Sequence, residues 1–186
     1  MLAKDLGYWV DLDLLIMRPL DFDEEYVFGR EKEGSINTAI ILAPADSAFV
    51  RDLVDFPKNM RRPPWYGPRR TAGYLLRRLK DGPLSVEDLP WGTYGPQMLS
   101  HFVVKHSLER FVAEAEAFYP VSWHDIRLLY GPAEKVETLL TDNTHAIHLY
   151  NSQLRELAKG PAPAGSFMAK QFERFGVPVR QERTAA

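Results

Sequence analysis

The chain has 186 residues, 45% hydrophobic and 26% charged, the balance of a globular protein that buries a core without disulfide or metal staples. It holds no cysteine, which excludes a disulfide scaffold, a thiolate zinc site and a cysteine nucleophile. A formal charge of −2 argues against a global nucleic-acid binder, and no run of about 18 apolar residues is present to cross a membrane.

Fourteen prolines and twelve glycines cut the chain into short elements. Tyr8-Trp9-Val10 reads as a buried strand running into Asp11-Leu12-Asp13. The apolar pattern resumes at 14–17 and Arg18-Pro19 stops it. Residues 26–28 predict a second short strand. Residues 36–42 (INTAIIL) predict a third, β-branched and bracketed by Gly34 and Pro44. A helix is expected from Asp46-Ser47 through about 55, ended by Pro57.

Residues 58–80 then carry Lys58, Arg61, Arg62, Arg69, Arg70, Arg77, Arg78 and Lys80 and no acidic residue. The first half is a proline-rich loop, and 71–79 reads as helix. Further helices are expected at 97–106, 108–116, 133–140 and 151–159. Residues 118–121 read as extended and 145–150 as a strand. After Gly160 comes a Pro/Ala/Gly-rich tail with one helical stretch at 167–175. Helices interspersed with strands argue an α/β fold.

Asp11-Leu12-Asp13 is the sharpest chemical feature. Two carboxylates two residues apart on an extended segment point the same way. At the carboxyl end of a strand they stand where open α/β sheets bind ligands. Their mutual repulsion favours a shared cation, and a hard divalent ion such as Mg²⁺ or Mn²⁺ suits two carboxylates and can bridge to a diphosphate. The alternative is a surface turn with two solvated acids.

Leu6-Gly7-Tyr8-Trp9-Val10-Asp11-Leu12-Asp13, followed by Arg18-Pro19-Leu20, resembles the DXD segment of a glycosyltransferase family. That family contains bacterial capsular and lipooligosaccharide sugar transferases, α-1,4-galactosyltransferases and α-1,6-mannosyltransferases. Leu6 stands where its members usually have a first glycine, and Trp9 where they have tyrosine. Ile36-Asn37-Thr38-Ala39 resembles its Asn-containing strand. Gly95-Pro96-Gln97-Met98-Leu99 resembles its Gly-Pro helix start, with Tyr94 and Ser100 in place of two threonines. His145 to Asn151 is similar to its His-x-(Trp/Tyr)-Asn ending, and Phe118-Tyr119-Pro120 has a counterpart too. The resemblance covers about residues 2–158.

The resemblance implies a GT-A-like α/β fold over residues 1–159, with 160–186 as a tail. It implies retaining transfer of a sugar from a UDP- or GDP-sugar donor to a glycan or lipid-linked acceptor. Asp11 and Asn37 are the implied catalytic residues. Asp11, Asp13, Gly95 and Asn151 are the implied donor-binding residues. Asp11, Asp13 and His148 are the implied ligands of Mn²⁺ or Mg²⁺, with the imidazole favouring Mn²⁺. The blander readings are a satisfied core histidine for His148, a strand-end amide for Asn37 and a plain helix start for Gly95. His145 is read as structural, Trp123 as packing, and His124 and Asp125 as outside the site.

Family members carry an N-terminal half-domain with a first strand and a Ser-Asp-x-x-Arg helix, and here Asp11 comes ten residues after the start. The N-terminal strands of the fold are therefore expected to be missing, which leaves an open sheet edge suited to self-association. A non-catalytic sugar- or metal-binding module is one alternative. A haloacid-dehalogenase-like phosphatase is another, although Leu15 stands where that site takes Thr or Val. The stretch 58–80, with Trp65, Tyr66 and Tyr74, is expected to be a solvated loop or to touch acceptor or an anionic membrane rather than nucleic acid. A cytoplasmic protein, peripheral at the inner face of the membrane, is the matching location.

Overall fold

A computed structural model describes residues 1–58 and 62–178. Its strands are β1 (Trp9–Val10), β2 (Leu14–Ile16), β3 (Val27–Arg30), β4 (Ile36–Leu42), β5 (Val112–Ala113) and β6 (Ala146–His148). Its helices are α1 (Ala48–Lys58), α2 (Pro68–Asp81), α3 (Pro96–Lys105), α4 (Ala115–Phe118), α5 (Ala133–Glu137), α6 (Asn151–Leu154) and α7 (Phe167–Arg174). This is the expected mixed α/β chain. It divides into two compact units, Met1–Asp11 with Phe22–Ala113, and Leu12–Asp21 with Glu114–Ala186.

The first unit is built on a four-stranded sheet of order β1-β4-β3-β5. The β1–β4 and β3–β4 pairs are antiparallel and β3–β5 is parallel. β4 is central because its run of β-branched and small residues tolerates burial. Phe28, Phe49, Leu99, Phe102 and Val103 form the core, with α1 and α3 supplying its helical side. Burying a ring such as Phe49 contributes roughly 2–3 kcal/mol. Ser47 caps α1 by accepting the Val50 N–H at 3.2 Å. Pro68 and Pro96 open α2 and α3, where a missing N–H costs nothing.

The second unit holds the antiparallel pair β2–β6, with Leu14 opposite His148, Leu15 opposite Ile147 and Ile16 opposite Ala146. Phe118, Tyr119, Val121, Ile126, Leu129 and Ile147 are fully buried in it. Residues 160–178 lie within this unit. Ser166 caps α7 through the Ala169 N–H at 3.2 Å, Phe167 and Met168 are buried, and α7 packs on α5.

Several expected elements take a different form. β1 is a half-exposed edge strand rather than a buried one. The helix expected at 108–116 is absent. Ser107 turns left-handed at φ 56°, the Leu108 N–H returns to the Val103 carbonyl, and Val112 joins β5 instead. A parallel pairing with buried Phe28 outweighs the local preference for helix. α1 carries Pro57 inside its last turn, where it can make no hydrogen bond to the carbonyl four residues back, and α1 runs to Lys58. Phe118 ends α4 rather than opening an extended piece, and α5 stops at Glu137. The helix expected at 151–159 breaks into α6 and a short 3-10 turn, Leu157–Lys159. Only Leu154 of α6 is buried, so no apolar face extends it. Arg61 of the basic stretch and residues 179–186 of the tail lie outside the described residues.

Candidate metal and donor site

Asp13 and His148 belong to the second unit, and the chain brings them together through β2 and β6. Leu14 pairs with His148, and the Leu149 N–H donates to the Asp13 carbonyl at 2.8 Å. His148 Nε2 lies 3.4 Å from Asp13 Oδ1. The backbone N–H of Asn151 donates to Asp13 Oδ2 at 3.1 Å. Both oxygens of one carboxyl are thus addressed by residues four positions apart at most.

The geometry of that approach depends on Tyr150. Its φ of 44° and ψ of 58° reverse the chain between His148 and Asn151. This region is uncommon for a non-glycine residue and costs about 1 kcal/mol. The Tyr150 ring centroid is 4.0 Å from that of His148, and Trp123 meets Tyr150 edge-on at 5.4 Å. Tyr119 closes the other side of the imidazole at 5.7 Å, edge to face. His148 is buried, so its ring orientation is fixed by packing.

Asp11 ends the first segment of the first unit and is joined to Asp13 through Leu12 alone, so the continuous chain keeps it close. Its N–H donates to the Ala39 carbonyl of β4 at 2.9 Å, and its Oδ1 accepts the Trp9 indole N–H at 3.1 Å. Asp11-Leu12-Asp13 is not an extended segment as expected: Leu12 and Asp13 form a turn, and Leu12 is fully exposed. One ligand atom from each of Asp11, Asp13 and His148 nevertheless lies within 4.8 Å of the others. An octahedral divalent ion with bonds of about 2.1 Å sets neighbouring ligand atoms ~3 Å apart and opposite ones ~4.2 Å apart. The observed limit of 4.8 Å is about 0.6 Å beyond the opposite-ligand distance, so small side-chain movements would close the group on an ion, and two carboxylates with one imidazole are a donor set for a divalent cation of the manganese type. The residues present fit such an ion.

The other expected residues are occupied differently. Asn37 Oδ1 accepts the Ala39 N–H at 2.8 Å and its Nδ2 donates to Glu31 Oε1 at 2.7 Å. It sits where the β3–β4 register jumps from Phe28–Ile41 to Gly29–Asn37. Its amide therefore pins a bulge. Gly95 is the residue before α3, but its N–H and that of Gln97 both turn to the Gly92 carbonyl, and Pro96 has none. Few of the helix-start N–H groups are left for a phosphate. Asn151 offers its backbone N–H to Asp13, while its side chain is exposed.

His145 Nδ1 lies 2.9 Å from the Pro19 carbonyl, a structural contact. Asp125 accepts the Ser122 hydroxyl at 2.8 Å within a local turn. Tyr150, Tyr119 and the half-exposed Trp123 are the side chains about this site that sequence reasoning did not assign to it. The signal for Tyr150 was present, because it lies between His148 and Asn151 in a motif already singled out.

Residues 87–172 match the family model described as the alpha 1,4-glycosyltransferase conserved region. The match covers just under half of the chain. It takes in Gly95, Tyr119, His148, Tyr150 and Asn151 and leaves out Asp11 and Asp13. The mixed α/β architecture is consistent with a GT-A-like fragment. No curated protein matches the chain, and no solved structure does.

Proposed function

We propose that this chain, whose residues 87–172 match the alpha 1,4-glycosyltransferase conserved region, takes part in retaining, metal-dependent transfer of a sugar from a nucleoside-diphosphate sugar to a glycan or lipid-linked acceptor. The observation that carries the reading is the convergence of Asp11, Asp13 and His148 on one point.

The leaving group of such a transfer is a nucleoside diphosphate. A divalent cation bound at the group supplies positive charge against the negative charge that grows as the glycosidic bond breaks. The chain's own part is preorganisation. Asn151 and His148 fix the Asp13 carboxyl from two directions, and Trp9 holds one oxygen of Asp11. Tyr119 and Tyr150 hold the imidazole of His148 and keep it from rotating. Fixed groups of this kind need no reorganisation as charge develops. Trp123, half-exposed against Tyr150, offers an aromatic face on which a sugar ring can lie.

The test is calorimetry of the 186-residue chain with UDP- and GDP-sugars, with and without Mn²⁺, followed by product analysis of the anomeric configuration. Metal-dependent binding of one donor and a product that keeps the donor's configuration are expected. Donor binding indifferent to Mn²⁺, or an inverted product, would refute the reading.

A further inference from the structure

α2 presents an apolar stripe to solvent. Ala72, Leu75, Leu76 and Leu79 recur at the helical spacing i, i+3, i+4, i+7 and so share one face. Leu75, Leu76 and Leu79 are 47%, 67% and 84% exposed. The opposite face carries Tyr74, the one buried side chain of the helix, which packs with Tyr66 and Leu84. The helix is therefore held to its unit through its tyrosine face, by the Tyr74 packing and by hydrogen bonds of Thr71, Arg70 and Arg77, while its leucines face outward. That inverts the usual arrangement of a surface helix.

The charges are sorted in the same way. Arg70 donates to Gln97 Oε1 and Arg77 to the Asp88 carbonyl, so both are engaged beside Tyr74. Asp81, the only acidic residue of α2, is seven positions after Tyr74 and lies on that inner side. Arg69 and Lys80 flank the leucine stripe on one edge and Arg78 on the other, and none of them has an ion pair among the described residues. A purely solvated helix has no use for three outward leucines. An apolar stripe bordered by unpaired cations is the pattern of a helix that lies in the plane of a lipid interface. No helix among the described residues is long and apolar enough to cross a membrane, so the contact is one of lying on the surface.

We propose that α2 docks on an anionic lipid surface, with Leu75, Leu76 and Leu79 sunk among the acyl-chain ends and Arg69, Arg78 and Lys80 against the headgroup phosphates. Charge complementarity selects this occupant: a second copy of the chain brings the same cations to the stripe and repels it. The proposal is independent of the metal and donor site.

The experiment is co-sedimentation of the full chain with vesicles of phosphatidylcholine, alone and mixed with phosphatidylglycerol. The wild-type chain sediments with the mixed vesicles only, and added salt releases it. Leu76→Glu with Leu79→Glu removes two insertion anchors and lowers partitioning roughly tenfold or more per leucine. Each of Arg69→Ser, Arg78→Ser and Lys80→Ser lowers it about fivefold. Circular dichroism of the leucine variant matches wild type, because both side chains are exposed. Asp13→Asn partitions like wild type, so failure of the metal site and failure of this proposal are separable. No sedimentation, or equal sedimentation with neutral vesicles, overturns the proposal. So does a dimer seen by light scattering without lipid that Leu76→Glu/Leu79→Glu turns into monomer, which assigns the stripe to a second copy.

Discussion

Asp13→Asn separates a metal-binding carboxyl from a structural one. Asparagine has almost the same shape as aspartate, and its carbonyl oxygen can still accept the Asn151 N–H now held at 3.1 Å by Asp13 Oδ2. The hydrogen bond survives but loses its charge assistance, a cost of about 1 kcal/mol in stability. An ion held by Asp11, Asp13 and His148 would lose one of its two anionic ligands. Removing even an outer partner of a metal ligand costs ~10–100-fold in affinity, so removing the ligand itself costs at least ~100-fold. At 1.36 kcal/mol per tenfold this is about 2.7 kcal/mol. Titration calorimetry with Mn²⁺ reads the affinity, and circular dichroism with thermal melting reads the fold. The double variant Asp11→Asn/Asp13→Asn adds a sharper criterion. If both carboxylates hold one ion, their effects on Mn²⁺ affinity fall short of additive, because the second removal acts on a site already lost. Unchanged Mn²⁺ affinity in a folded Asp13→Asn chain, or strictly additive small losses, would refute the reasoning.

Other perturbations probe the scaffold. Burial pushes the Asp52 carboxyl up, but hydrogen bonds and charge from Lys105 and His106 outweigh it and hold the carboxyl below its usual value. Its contribution is thus complete above the unfolded carboxylate range and fades as pH falls from about 4 through the lower folded value. Asp52→Asn is expected to cost about 1 kcal/mol at neutral pH and to flatten the acid limb of a urea-denaturation pH series. Leu99→Ala opens a cavity in the first unit's core and costs roughly 3 kcal/mol by urea denaturation, whereas Leu79→Ala on the exposed stripe stays within about 0.5 kcal/mol. Gln171 is buried on α7 with an Oε1 that has no hydrogen-bond partner among the described residues. Gln171→Met is expected to raise the melting temperature by removing that orphan, a gain of about 1 kcal/mol.

What the sequence made legible follows from how local each signal was. β4 was read to the residue because six of its seven positions between Gly34 and Pro44 are β-branched or apolar. The helical stretch expected at 167–175 matches α7, Phe167–Arg174, to within one residue. The stretch after α3 was misread because Leu108 to Glu116 has acceptable helix formers. What decides it is Val112 pairing with Phe28, a partner remote in sequence. At the site, the residue types of Asp11, Asp13 and His148 announced their chemistry. The meeting of Asp13 with His148 depends on the β2–β6 register, and that of Asp13 with the Asn151 N–H on a left-handed Tyr150; neither leaves a periodic trace. Asn37 shows the opposite limit. An asparagine on a strand looks equally apt for a sugar hydroxyl and for a bulge, and only the two short bonds to Ala39 and Glu31 show what it holds.

The ladder that unites Leu14 with His148 joins the beginning of the chain to a segment near its end. Closing so large a loop costs entropy that nearby contacts do not repay until both strands are in place. The grouping of Asp11, Asp13 and His148 is accordingly a late acquisition in folding, with no half-formed version. A nascent chain still short of β6, or one clipped between the strands and allowed to part, has the acids but nowhere to use them.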